Sequence, residues 1–300
     1  MSINTTKIVN LLRPGLHSVF GDYDQYPSQF GEIYRTEPSS MSQEIEVEMR
    51  MLGLAQTRAE GSATAVDNGM GQRNITTYLH RFVALSFSIT KAALDDNLYR
   101  TKFPLMVRSL KQSMHQAKEI LAASVLNNAF AVEYPIGDSK PLCAANHPID
   151  GGVVSNLGTP ADLNEASLEE ANIKTQTFKD AAGLTIMAKS KKLIVSAQNQ
   201  FAANRLLNST YRTGTNTNDI SAIYNMDTVP EGYRVNQYLT SPNAWFLLTN
   251  IEGFKHFVRQ AIETDVYTDF YTDNLLSKAV ERYCFGNSNF RSVVGNSGPA

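Results

Sequence analysis

The sequence predicts an α+β protein, and three observations carry that expectation. Thr101 to Phe130 reads as one long helix, two other runs alternate apolar and polar residues as strands do, and a middle region interleaves short strands and helices without regular period. The irregular interleaving favours mixed layers over a doubly wound sheet.

In chain order, residues 1–42 cannot form a core of their own. A short apolar patch (Ile8, Val9, Leu11, Leu12) is expected to end at Pro14-Gly15, and Phe20, Tyr23, Tyr26, Phe30 and Tyr34 follow without helical or strand period. Large aromatic side chains are worth burying, so this segment is expected to lie as an arm across its own subunit or a neighbour.

Glu44 to Leu52 alternates strictly, with Ile45, Val47, Met49 and Met51 on one face and Glu44, Glu46, Glu48 and Arg50 on the other. This predicts a strand with its apolar side buried. A Gly-punctuated tip from Ala59 to Gly71 precedes a second alternating run with Val83, Leu85, Phe87 and Ile89 on one face, and the two runs are expected to pair as a long hairpin. Two strands alone are marginal in water, so the hairpin must lay its apolar face on something else.

Thr101–Phe130 has Pro104 near its start, where a missing N–H costs little, and neither Gly nor Pro from Leu105 to Ala129. At 1.5 Å per residue it spans about 40 Å and can act as a spine. Val107, Leu110, Met114, Ala117 and Leu121 form one stripe, and Arg108, Lys111, His115 and Lys118 another. Tyr134 to Pro160 is loop-like. Asp162 or Asn164 can cap a helix running to about Ala182, with Gly183 past its end. Lys192–Ser196, Tyr233–Tyr238 and Ala244–Leu248 read as strands, with a helix at Gln198–Leu207. In the tail, Ser277, Ala279, Glu281, Tyr283 and Phe285 alternate with Lys278, Val280, Arg282 and Cys284, a long strand whose first face suits the spine helix.

A content of 42% apolar residues with a net charge of -2 fits a soluble chain of 300 residues. No stretch approaches a membrane span, and the start lacks the order of a secretion signal, so synthesis and residence in the cytosol are expected. Two distant cysteines suit a reducing compartment, and the absence of a basic block argues against broad nucleic-acid binding.

Cys143 and His147 could pair as thiolate and imidazole, but no third orienting group is signalled and Pro148 points to a turn. The scattered histidines do not make a zinc site. Asp265, Asp269 and Asp273 share a face that could hold a hard cation, yet the EF-hand pattern is missing and a solvated acidic edge is the simpler expectation. No catalytic, cofactor-binding or metal-binding residue is therefore expected.

Pro141-Leu142-Cys143 with His147-Pro148 and Gly151-Gly152, then Leu193-Ile194-Val195 before Arg205-Leu206-Leu207, resemble motifs of the Mu-like major head subunit family. So do Tyr238-Leu239-Thr240 with Ala244-Trp245-Phe246, and Lys278-Ala279-Val280-Glu281-Arg282-Tyr283. The element order likewise resembles the major capsid proteins of tailed bacteriophages, a fold shared with herpesvirus shells and encapsulins. The resemblance implies an N-terminal arm at 1–42, an extended hairpin loop at 43–91 and a peripheral domain at 92–160 containing the spine helix 101–130. An axial domain at 161–257 and a closing strand at 258–300 returning to the peripheral domain complete the division. It further implies a structural, non-enzymatic protein whose pentamers and hexamers close into an icosahedral shell around double-stranded DNA, in the virion after assembly in the host cytoplasm. A separate scaffolding protein, a portal and decoration proteins are the expected partners, with no sequence-specific DNA contact and no membrane. A tail or portal component, or a Cys143/His147 hydrolase, are the competing readings.

Overall fold

The computed structural model describes residues 5–21, 23, 27–96, 99–212 and 219–299. Tyr26, one of the aromatics of the first segment, lies outside them.

The first element is α1 (Thr5–Phe20), which runs straight through Pro14 and Gly15. The expected stop is thus corrected, and the reason is tertiary. A mid-helix proline costs about 3 kcal/mol, whereas burying a Leu or Phe side chain returns about 1.5–3 kcal/mol. Leu16 and Phe20 are both buried, in one cluster with Val107, Leu110 and Met114. Lys111 Nζ donates to the Val19 carbonyl at 3.0 Å and so caps the end of α1. The segment lies on its own subunit: Tyr34 is buried and its hydroxyl donates to the Ala122 carbonyl at 2.8 Å. β1 (Arg35–Pro38) follows.

β2 (Gln43–Arg50) pairs antiparallel with β3 (Gly71–Leu79), with Val47 opposite Ile75. β4 (Arg81–Ile89) begins after His80 and does not pair with β2. The sequence therefore located the first strand of the hairpin but assigned it the wrong partner. α2 (Lys91–Asp95) is capped by Thr90, and α3 (Tyr99–Asn127) is the spine, 29 residues and roughly 43 Å long.

β5 (His147–Ile149) and β6 (Gly152–Val154) make a small hairpin. α4 (Glu165–Gln176) has a capping box: Asn164 Oδ1 accepts from Ser167 N at 2.9 Å, and Ser167 Oγ accepts from Asn164 N at 3.1 Å. The helix stops short of Ala182 because Phe178 turns into the core and Lys179 bridges Thr185. β7 (Ser190–Val195), α5 (Gln200–Asn208), α6 (Ala222–Asn225), β8 (Tyr233–Val235) and β9 (Trp245–Thr249) follow. β10 (Phe254–Thr268), β11 (Leu275–Asn287) and β12 (Val293–Asn296) complete the chain.

One four-stranded sheet has the order β1-β10-β11-β4, parallel at β1/β10 and antiparallel elsewhere. The other has the order β12-β9-β7-β8, parallel only at β7/β8. The tail expectation is corrected in one respect. β10 and β11 do lie with the spine helix, but β12 crosses back and pairs with β9 in the second sheet. β10, a 15-residue strand, was not anticipated at all.

Three clusters hold these layers together. Val107, Leu110 and Met114 of α3 pack under the first sheet on Leu275 and Ala279 of β11, the face the alternation assigned to the spine. Leu193, Val195, Trp245 and Leu247 face Leu168 of α4 and Ala203 of α5. Ile194, Phe246 and Leu248, on the opposite face of the second sheet, meet Ala122 and Leu126 near the end of α3. β9 is buried on both faces, which explains its unbroken apolar run. Among the described residues no helix is long and apolar enough to cross a membrane.

Candidate functional site

The candidate site is the β2–β3 hairpin, whose polarity is inverted: its apolar face points outward and its acidic face inward. Ile45, Val47, Met49 and Ile75 are 37–54% exposed, and so are Leu54, Val66 and Met70 of the loop beyond, to a greater extent. The charged residues of β2 point inward instead, and the apolar side that the sequence expects to be laid on something else is left uncovered by the described residues. Glu44 accepts from Ser39 Oγ at 2.5 Å, Glu46 is bound by Lys255 and by the Tyr78 hydroxyl at 2.9 Å, and Glu48 accepts from Arg291 Nη1 at 2.8 Å. Burial pushes the Glu46 carboxyl upward, but hydrogen bonds from Lys255, Ser288 and the Tyr78 hydroxyl outweigh it and hold it below its ordinary value. Burial itself moves the Tyr78 hydroxyl the other way, upward. At its root the hairpin is fixed by packing: Tyr78 is buried edge-on to Phe257 with ring centroids 5.0 Å apart.

The described residues of the subunit leave this apolar face uncovered. Exposed apolar patches of this kind mark protein interaction sites. A second exposed pair, Phe270 and Tyr271, stands at the turn between β10 and β11.

The residues weighed for chemistry are placed elsewhere. Cys143 is buried, its backbone N–H donates to the Ala129 carbonyl at 2.8 Å, and burial pushes its thiol pKa up. His147 has both ring nitrogens engaged, Nδ1 with Asp138 at 2.6 Å and Nε2 with Asn156 at 3.0 Å, and its ring stacks on Phe290. Its partners are structural, and Cys143 is not among them. Asp269 accepts from the Thr272 hydroxyl at 2.5 Å within its turn, Asp273 pairs with Lys91 at 3.0 Å, and Asp265 lies in register with Lys278. Among the described residues no group of three or more metal-capable side chains forms.

What sequence reasoning missed is the anchoring network: Asn156, whose side-chain NH2 has three carbonyls within hydrogen-bond distance (Leu142, Phe290 and Val293) to share its two hydrogens, and Asp150, which meets Arg50 and Arg73. The one available signal was Gly151-Gly152, which marks a turn just after Asp150.

A family model described as phage capsid protein matches residues 74–296, from β3 to the end of β12. The chain belongs to the phage capsid protein family. No curated protein matches this capsid protein by sequence. Solved structures show the shared fold. A virus-like particle from Pyrococcus furiosus is 10% identical with a TM-score of 0.56, covering 94% of this chain and 98% of that one. The capsid of the native GTA particle is 13% identical with a TM-score of 0.55, covering 90% of each chain. The procapsid of bacteriophage JBD30 is 12% identical with a TM-score of 0.52, covering 98% of this chain and 76% of that one. The fold is the one shared with these phage capsids, α+β as the sequence implied, and as a phage capsid protein the chain is a structural component of the capsid and so of the virion.

Proposed function

We propose that copies of this capsid protein assemble as pentamers and hexamers, each β2–β3 hairpin laying its apolar face on the neighbouring subunit, and that the closed shell encloses double-stranded DNA. The observation that carries this is the inverted hairpin: Ile45, Val47, Met49 and Ile75 outward, Glu44, Glu46 and Glu48 inward. A heterologous contact of this sort, one surface on a different surface of the next copy, generates closed rings when the rotation closes. Apolar cover is worth about 25 cal/mol per Å², so many such contacts sum to a stable shell.

The same reading divides the chain into an arm to residue 42, an extended loop, a peripheral domain around α3 and β11, and an axial domain around β7 and β9. The motifs at Pro141–Gly152 and Lys278–Tyr283 support placing it among Mu-like major head subunits. A separate scaffolding protein, a portal and decoration proteins are partners we infer from the family alone, with assembly in the host cytoplasm and no enzymatic step.

Electron microscopy of the purified protein, alone and with the co-expressed scaffolding protein, tests this. Polyhedral shells are expected. Rings or tubes alone would overturn it, and normal shells from a chain lacking Ala59 to Gly71 would overturn the docking role of the hairpin.

A further inference from the structure

The turn between β5 and β6 has no mechanical part in the functional reading above, yet it is built as a rigid post. His147, at the start of β5, is fully buried between Asp138, Asn156 and the face of Phe290, whose ring centroid lies 3.9 Å away at an interplanar angle of 1°. Gly151 has φ 75°, which lets the chain reverse within two residues. The Asp150 backbone N–H donates to the Ala181 carbonyl at 3.1 Å. The post therefore holds the Asp150 carboxylate in a fixed place.

That carboxylate faces the hairpin. Arg50, the last residue of β2, donates through Nε to Asp150 Oδ2, and Arg73, near the start of β3, donates through Nη1 to Oδ1 at 3.0 Å. Arg73 Nη1 also donates to the Ala181 carbonyl at 2.7 Å, and Arg50 Nη1 contacts Asp67 of the loop at 3.3 Å. We propose that Asp150 is the positioning residue of the hairpin: a single carboxylate bridges one arginine from each strand and holds the distal shaft against the subunit body. Tyr78 fixes the root, and Lys255 on Glu46 and Arg291 on Glu48 hold the middle of the shaft, so Asp150 governs the pose of the distal end beyond Glu48 and not whether the hairpin folds. Its importance for assembly rests on the docking role proposed above, but its effect on pose does not.

The Asp150 side chain is 43% exposed and the two arginine side chains 20%. Contacts at that exposure are screened by salt, whose Debye length is about 10 Å at 0.1 M and about 3 Å at 1 M. Apolar docking has no such dependence. Raising the salt thus frees the shaft while leaving its outer face as adhesive as before.

The test places spin labels at Ala65→Cys in the loop and Ser109→Cys on α3, both exposed, in a chain whose native Cys143 and Cys284 are buried. Labelled chain is diluted with unlabelled chain so that pairs within one subunit dominate. The proposal expects a narrow distance distribution at about 0.1 M salt and a broad one at about 1 M. Asp150→Asn should be broad already at low salt, and Asp150→Glu should restore the narrow distribution. A narrow distribution for Asp150→Asn at low salt, with circular dichroism showing a folded chain, overturns the proposal. This readout needs no shell. An Asp150→Asn hairpin that moves as expected while shells form normally supports the anchor and counts against the docking role instead.

Discussion

Lys118 of α3 and Glu281 of β11 form an ion pair inside the protein, and Tyr23 completes it by donating its hydroxyl to Glu281 at 2.5 Å. The Lys118 ammonium also lies over the rings of Tyr23 and Tyr283, 4.7 Å and 5.1 Å from their centroids. One charge pair thereby fastens the spine, the first sheet and the N-terminal segment.

Breaking a buried pair from one side leaves an uncompensated charge, which costs about 3–5 kcal/mol. Lys118→Met and Glu281→Gln should each destabilise the subunit in that range in urea unfolding, with the double variant well short of their sum. Additive losses would show the pair to be uncoupled.

Val47 and Ile75 lie opposite each other on the outward face of the hairpin. Val47→Asp should leave subunit stability within about 0.5 kcal/mol of wild type, the usual range for a surface change. Shell yield, counted by microscopy or sedimentation, should nevertheless collapse. Loss of stability would mean the face is covered within the subunit.

Lys192, buried in the second sheet, donates to Glu32 Oε2 at 2.7 Å and reaches Glu231 at 3.0 Å. The hydrogen bond from Lys192 holds the Glu32 carboxyl below its ordinary value; for Glu231, burial pushes upward but Lys192 and Lys191 outweigh it. Depressed carboxylates stabilise the fold above their unfolded pKa and lose that contribution as pH falls through the folded one. Glu119 works in the opposite sense. Burial raises its pKa although it accepts the N–H groups of Gln29 and Phe30, so its contribution is complete below the unfolded value and declines as pH rises through the folded one. Glu32→Gln should lower stability at pH 7 and flatten its decline below about pH 4.5, measured as urea midpoints against pH. An unchanged acid limb would show that Glu32 is not linked to folding.

Gly295 of β12 sits against Cys143: a Cβ there would collide with the sulfur and meet the Phe130 ring at 3.1 Å. Gly295→Ala should cost about 1–3 kcal/mol by overpacking, and Cys143→Ala in the same chain should recover part of it. Absence of recovery in denaturant titrations would place the strain on the Phe130 side.

α3, α4 and α5 and the strands β7, β8 and β9 were legible because their apolar positions recur regularly or run unbroken, whereas α1, α2, α6 and β12 were not read. Asn164 marked the start of α4, and the apolar run Leu193-Ile194-Val195 marked β7. β10 was hidden because its pairing with β11 slips twice, between Val258 and Gln260 and between Gln260 and Glu263, so no two-residue period survives along it. Alternation also reports that a strand has two unlike faces without saying which is inward. In β2 the inward face is the acidic one, because Lys255 and Arg291 wait for it on distant segments. The partner of β2 was misassigned for a related reason: β4 shows the stronger pattern, but β3 is the strand joined to β2 through the loop.

The spine helix is embedded at one end beneath the first sheet and at the other beneath the second. A rod clamped at both ends transmits a tilt instead of absorbing it, so each subunit body turns as a single block. In the assembly proposed above, a body that turns as one block leaves the differences in curvature between five-fold and six-fold surroundings to the appendages, and the hairpin would then serve as hinge as well as adhesive.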